Sequence, residues 1–251
     1  MATDSKQFLE ELRGMVAAKH SKDHRIFDLI EGGKLTWEQL QGFSKQFYLL
    51  FPKLFPKPIA AMLSRCPPDD PELERMWLGN LLDEATGGET GTVGHRGMYI
   101  KFAEAMGIPH DELEAVKPLP ETAAFLHWRE LLINQRSWLE LFASQGLCLE
   151  GTASPRMRRV VDGLVNHYGF SRDDERLEYW IEHMSADEEH MKVGPYAVIR
   201  YAVNDDAQQR VRQAVQDTLD VFWLVFDGMI RAFVDQDPLY AAWRELAKAS
   251  A

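Results

Sequence analysis

The sequence predicts an all-α protein, a compact bundle of seven to nine helices forming a single domain over residues 1–251. Three observations predict it. Apolar residues recur at three- and four-residue spacing through most of the chain. Gly and Pro gather at a few junctions between those segments. Alternating patterns that would mark strands are almost absent. A first helix runs from about Ser5 to His20 and buries Phe8, Leu12, Met15 and Val16. A short one over Ile26 to Ile30 stops at Gly32 and Gly33. Thr36 caps the next, with Gln39 at capping-box spacing and Leu40, Phe43, Phe47 and Leu50 on one stripe, until Pro52, Pro56 and Pro58 break the run. After a short helix over Ile59 to Leu63, Pro71 occupies a first helical position, and its helix continues to about Glu84. Gly87, Gly88, Gly91 and Gly94 loosen the chain before a pattern resumes through Tyr99, Phe102 and Met106. One long helix covers Pro120 to Leu149 and ends at Gly151; another starts at Ser154 and Pro155 and reaches Tyr168. The last two run from about Arg172 to Val203 and from Asp206 to Val234.

Lys and Arg number 28 against 39 Asp and Glu, a net charge of −11. That balance argues against nucleic acid and against anionic membrane surfaces as partners. No apolar stretch approaches the length of a membrane span. The polar start, Met1 to Gln7, lacks the apolar core of a secretory signal, so the expected location is cytoplasmic. Cys66 and Cys148 are too few for a disulfide scaffold or a zinc knuckle.

The chemistry is carried by ionisable residues whose helical phase points inward, because a buried charge costs several kcal/mol unless it is paired or binds a metal. His183, Asp187 and His190 fall within about 60° of one another on a helix. Trp180, Gly194 and Tyr201 continue the same stripe on either side, so it faces the core. Two imidazoles and a carboxylate there suit iron, manganese or zinc, and equally a hydrogen-bonded His-Asp-His cluster. Glu84 lies on the apolar stripe of Leu73 and Trp77, and His95 follows beyond the glycine-rich break. Glu150 ends the stripe of Leu139, Ala143 and Leu147. Three carboxylates and three histidines from three helical regions form the set that a dinuclear site inside a helical bundle requires, although not with the repeated Glu-x-x-His of ferritin-like proteins.

This ligand pattern resembles that of the haem-oxygenase-like di-metal oxidases, a superfamily that includes non-haem di-iron oxygenases and is related to pyrroloquinoline-quinone synthase and to thiaminase-II. Glu84 with His95, Glu150 in Leu147-Cys-Leu-Glu150-Gly151, and His183-x-x-x-Asp187-x-x-His190 carry the resemblance, which extends over roughly Leu12 to Phe233. It implies a haem-oxygenase-like fold and two ferrous ions, with manganese as an alternative, held by Glu84, His95, Glu150, His183, Asp187 and His190. It also implies dioxygen as co-substrate and a small organic substrate, an amino acid or amino-acid-derived metabolite. An external electron donor and a homodimer are compatible with it. The competing reading is a cofactor-free oxidase of the quinone-synthase type, and behind it a non-enzymatic helical binding protein. By the same resemblance His20 and His24 line the pocket; Arg129 or Arg136 is a candidate partner for a substrate carboxylate, the alternative for each of the four being a structural or surface role. Cys148 lacks the aromatic residues that follow the thiaminase cysteine and reads as a small core residue. Asp220 and Asp227 are assigned to hydrogen bonding or subunit contact.

Overall fold

The computed structural model describes residues 2–87, 93–185 and 187–248; the side chains of 185, 187–192 and 245–248 lie outside that description. The described residues are helical with no strand, as the absence of alternation requires. No described helix is long and apolar enough to cross a membrane.

Local signals place the first helices. Asp4 caps α1 (Ser5–Ala18) by accepting from the backbone N–H groups of Lys6 and Gln7. After α2 (Arg25–Glu31), α3 (Trp37–Leu50) begins with the full capping box: Thr36 Oγ1 accepts from Gln39 N–H at 3.3 Å, and Gln39 Oε1 accepts from Thr36 N–H at 2.9 Å. Pro56 opens α4 (Pro56–Leu63). Asp70 then caps α5 (Pro71–Thr86) through Leu73 N–H at 3.2 Å, with Pro71 as first helical residue. That carboxylate also accepts from Tyr196 and Tyr201 at 3.0 and 2.7 Å and lies 3.1 Å from Arg200, tying the start of α5 to a helix more than a hundred residues away.

The chain next forms α6 (Gly94–Ala105) and a short α7 (His110–Ala115), which the periodicity does not announce. The predicted helix from Pro120 to Leu149 is not continuous. It is divided into α8 (Pro120–Gln135) and α9 (Trp138–Ala143) by an extended Arg136, followed by a π-helical stretch, Ser144–Leu149, and a 3-10 turn, Glu150–Thr152. The reason is a second capping box: Ser137 Oγ accepts from Glu140 N–H while Glu140 Oε2 accepts from Ser137 N–H, so a new helix starts where the apolar stripe runs on. Then come α10 (Ala153–His167), α11 (Glu178–Ser185), α12 (Asp187–Tyr201), α13 (Asp205–Met229) and α14 (Ala241–Lys248). The described residues therefore hold more helices than the seven to nine expected, because short helices flank the long ones.

The apolar centre is aromatic. Phe47, Tyr99, Phe102 and Tyr179 surround Trp180 with ring centroids 4.9–5.6 Å from it, all five buried. The π-helical stretch packs against α12, backbone to backbone where Gly146 meets Gly194. A Cβ on Gly146 would sit 2.6 Å from Gly194 Cα, and one on Gly194 would sit 2.9 Å from the Gly146 carbonyl carbon. Gly194→Ala is therefore expected to cost about 1–3 kcal/mol, since backbone rather than a flexible side chain must move. Urea unfolding checks this, and a variant as stable as the parent would contradict the close contact.

Candidate metal centre

Four helical segments meet at one end of the aromatic core. Glu84 sits in the last turn of α5, which stops at Gly87 in the left-handed conformation. His95 is the second residue of α6, whose first residue, Gly94, has φ 69° and lies so near the Ala85 carbonyl that a Cβ would come within 2.9 Å of it. Only glycine satisfies both conditions, and the turn brings His95 back onto Glu84. Gly88 and Gly91 lie outside the described residues. His183 comes from α11, and Glu150 from the end of the π-helical stretch.

Glu84 and His95 are buried, and His183 nearly so. His95 Nδ1 is 2.9 Å from Glu84 Oε2, and His183 Nε2 is 3.9 Å from Glu84 Oε1. The two imidazole centroids are 4.5 Å apart. Each residue offers one donor atom within 4.8 Å of the others. Donors about 2.1 Å from a shared ion lie about 3.0–3.4 Å apart, a range that the two measured separations bracket.

The other ring nitrogens are already committed. His183 Nδ1–H donates to the Tyr179 carbonyl at 2.6 Å, leaving Nε2 as the lone-pair nitrogen facing Glu84. His95 Nε2–H donates to Glu182 at 3.2 Å, so Nδ1 faces the cluster. That Nδ1 is buried and, among the described residues, has no hydrogen-bond partner despite its closeness to Glu84. An orphaned imidazole nitrogen beside a carboxylate is the arrangement a metal ion completes, so these residues fit one.

The electrostatics agree. Burial would push His95 down, but the Glu182 and Glu84 carboxylates outweigh it and raise the imidazole to about 10. Burial would push Glu84 up, but His183 and His95 hold it at about 2. The site thus stabilises positive charge between carboxylates, and a divalent cation can take the place of the proton.

Glu150 faces the same cavity, together with Glu84, His183, Tyr179, Arg156 and Phe51. Its Oε1 accepts from Gln145 Nε2 at 3.4 Å across five residues, a spacing that a π-turn brings onto one face. The cavity measures about 10 Å3, room for roughly one water molecule. A larger pocket of about 650 Å3, lined by Gln39, Lys45, Glu112 and Trp243 among others, contains none of the candidate ligands. Asp187 and His190 have side chains outside the described residues.

Two residues at the site escape the sequence reading. Glu182, next to His183, orients His95. Arg156, buried on the cavity wall, donates to Ser21 Oγ at 2.8 Å and Thr152 Oγ1 at 3.0 Å, with its guanidinium over the Phe51 and Phe222 rings. The arginines that the sequence suggested lie elsewhere: Arg129 donates to the Leu50 carbonyl at 2.6 Å, and Arg136 lies 3.7 Å from Glu140. His24 accepts from Ile26 N–H and hydrogen-bonds Asp227 at 3.0 Å, which explains that aspartate; Asp220 pairs with Lys19 at 2.7 Å. His20 accepts from Lys22 N–H and caps a short turn; burial and the charges of Lys22 and Arg156 lower it to about 4. Cys148 is buried with its thiol near the Val215 carbonyl, and burial pushes it up, as a core residue requires.

Glu182→Ala is expected to weaken iron binding by about 10–100-fold, the usual effect of losing an outer partner of a metal-bound histidine. Titration against a competing chelator measures it. Unchanged affinity would remove Glu182 from the site.

The profile of a family described as iron-containing redox enzymes matches residues 41–223. A 4-aminobenzoate synthase of Chlamydia muridarum is 33% identical over 230 residues, covering 87% of this chain and 91% of that protein. A pyrroloquinoline-quinone synthase of Klebsiella pneumoniae is 26% identical over 251 residues, covering 96% of each. Among solved structures, a TenA homologue of Pseudomonas syringae superposes with a TM-score of 0.75 at 16% identity, over 89% of this chain and 93% of that one. A domain with a haem-oxygenase-like fold from Shewanella denitrificans does so with a TM-score of 0.73 at 13% identity, over 97% and 98%.

Proposed function

Because the chain belongs to the iron-containing redox enzyme family, we propose that it is a non-haem di-iron oxidase acting on a small amino-acid-derived carboxylate. Glu84, His95, Glu150 and His183 hold the metal, together with Asp187 and His190, and the ions are ferrous iron, with manganese as an alternative. The observation that carries the reading is the buried Glu84–His95–His183 cluster with an imidazole nitrogen left open toward a carboxylate. When bound, the ions supply dioxygen activation and one-electron redox change.

The chain's own residues do the rest. Glu182 and the Tyr179 carbonyl fix which nitrogen of each histidine faces inward. Phe51, Phe55, Leu149 and Met157 wall the cavity with apolar surface and exclude water. Once the cavity widens beyond its about 10 Å3 to admit substrate, Arg156 on its wall presents a cation to a substrate carboxylate. The names of the relatives support that choice, since 4-aminobenzoate and pyrroloquinoline quinone are both carboxylates.

Anaerobic reconstitution with ferrous iron tests the proposal, followed by oxygen addition with a panel of amino acids, aminobenzoate precursors and fatty acids. Stoichiometric iron uptake and iron-dependent oxygen consumption are expected. Oxygen consumption undiminished after iron removal would favour the cofactor-free reading. Neither uptake nor consumption would leave a binding protein.

A further inference from the structure

We propose that Asn80 is a positioning residue of the metal centre, its side-chain N–H holding the Glu84 carboxylate by the oxygen that the ion leaves unused. The proposal rests on the metal reading above and extends it to a residue outside the ligand set.

The buried residues of α5 are Leu73, Trp77, Asn80 and Glu84, at spacings of four, three and four, so they form one face of the helix. An apolar side chain at position 80 would suit that face. Asn80 is instead 3% exposed, and its Nδ2 is buried with no hydrogen-bond partner among the described residues. A buried donor without an acceptor is destabilising, and asparagine is a poorer helix former than leucine. The amide therefore weakens the metal-free chain, which points to an acceptor that becomes available with the ion.

Glu84 supplies that acceptor. It lies four residues after Asn80, a spacing that puts the two Cβ atoms about 5–6 Å apart, and helical side chains lean toward the N-terminus, so the carboxylate reaches back over Asn80. Without an ion the carboxylate is engaged by the imidazoles, 2.9 Å from His95 Nδ1 and 3.9 Å from His183 Nε2. With an ion bound, both nitrogens give it their lone pairs, because His95 Nε2–H already donates to Glu182 and His183 Nδ1–H to the Tyr179 carbonyl. Neither imidazole can then donate to Glu84. A carboxylate that binds a metal through one oxygen has a second to be satisfied, and such carboxylates are themselves hydrogen-bonded. The Asn80 N–H stands one turn away on the same face. Trp77 Nε1 is also buried without a partner among the described residues. It lies seven residues before Glu84, about 10 Å along the axis, and cannot take the same part.

The test uses the full chain and two variants. Asn80→Leu keeps the branched shape without the donor, and Asn80→Ala removes the donor without adding bulk. Iron affinity, titrated anaerobically against a competing chelator, is expected to fall about 10–100-fold in both. Metal-free Asn80→Leu should unfold in urea at the parent's midpoint or above it, because no buried donor is left unpaired. A residue that only held the fold would give the reverse, a lower midpoint with affinity unchanged. In 1H–15N spectra, the side-chain amide pair missing from Asn80→Leu identifies Asn80. One of its two protons should move downfield when the parent is loaded with zinc, a diamagnetic probe. Affinity undiminished in both variants, affinity lost only where the metal-free midpoint also falls, or an Asn80 amide signal that saturating zinc leaves in place overturns this assignment alone. A parent chain that takes up neither iron nor zinc overturns the metal reading and the role of Asn80 with it.

Discussion

Replacing Glu84 by alanine is expected to abolish iron retention while the helical fold persists. Among the described residues Glu84 is the carboxylate that ion-pair distances join to both imidazoles, 2.9 Å from His95 and 3.9 Å from His183. Removing it leaves two buried imidazoles 4.5 Å apart with a cation between them and less negative charge to hold it. The loss should exceed the about 10–100-fold expected for an outer partner such as Glu182. Folding should suffer less, because Glu84 lies in the last turn of α5 and the apolar contacts of Leu73 and Trp77 stay in place. Metal analysis after gel filtration and far-ultraviolet circular dichroism separate the two effects. Full iron content in Glu84→Ala would contradict the assignment. His183→Ala and Glu150→Ala are expected to lose iron and turnover likewise.

Trp180→Ala is expected to have the largest effect on stability. The indole is fully buried among Phe47, Tyr99, Phe102 and Tyr179, where α3, α6 and α11 meet. Truncation leaves a cavity that backbone movement cannot close, at about 3–5 kcal/mol, a large part of the roughly 5–15 kcal/mol that holds a typical domain together. His183 lies three residues beyond Trp180, nearly one helical turn, so iron affinity should fall as well. Trp180→Phe keeps most of the ring contact and should recover most of the stability. Urea unfolding reads both variants, and a loss below about 1 kcal/mol in Trp180→Ala would show that the core does not depend on this ring.

Local chemistry explains what the sequence reveals and what it hides. The Thr36–Gln39 box, Asp70 with Pro71, and the prolines after Leu50 act within a few residues, so these helix ends are readable. The break at Arg136 carries an equally local signal in Ser137 and Glu140, but the apolar stripe continues across it and masks the box. The π-helical stretch before Glu150 cannot be read from three- and four-residue spacing, because its hydrogen bonds span five. Short helices such as α7 contribute too few apolar positions to register.

The site divides in the same way. Glu84, His95, Glu150 and His183 are visible because a charged or titratable residue stands where the stripe calls for an apolar one, and the structure brings these four to one cavity wall or beside it. Glu182 adjoins His183 and so points about 100° away on the helix, a phase that reads as outward. Arg156 lies in a run with Arg158 and Arg159 that resembles a solvated basic face. Arg129 is buried, as its phase implies, but its charge is met by a backbone carbonyl.

The most direct measurement of the central claim is anomalous X-ray diffraction at the iron edge from crystals of the ferrous-loaded chain. The account predicts iron about 2.0–2.2 Å from a Glu84 carboxylate oxygen, His95 Nδ1 and His183 Nε2, with a second peak reached by Glu150. Iron bound elsewhere, or an ordered Glu84–His95–His183 cluster with no anomalous peak beside it under saturating iron, would contradict it.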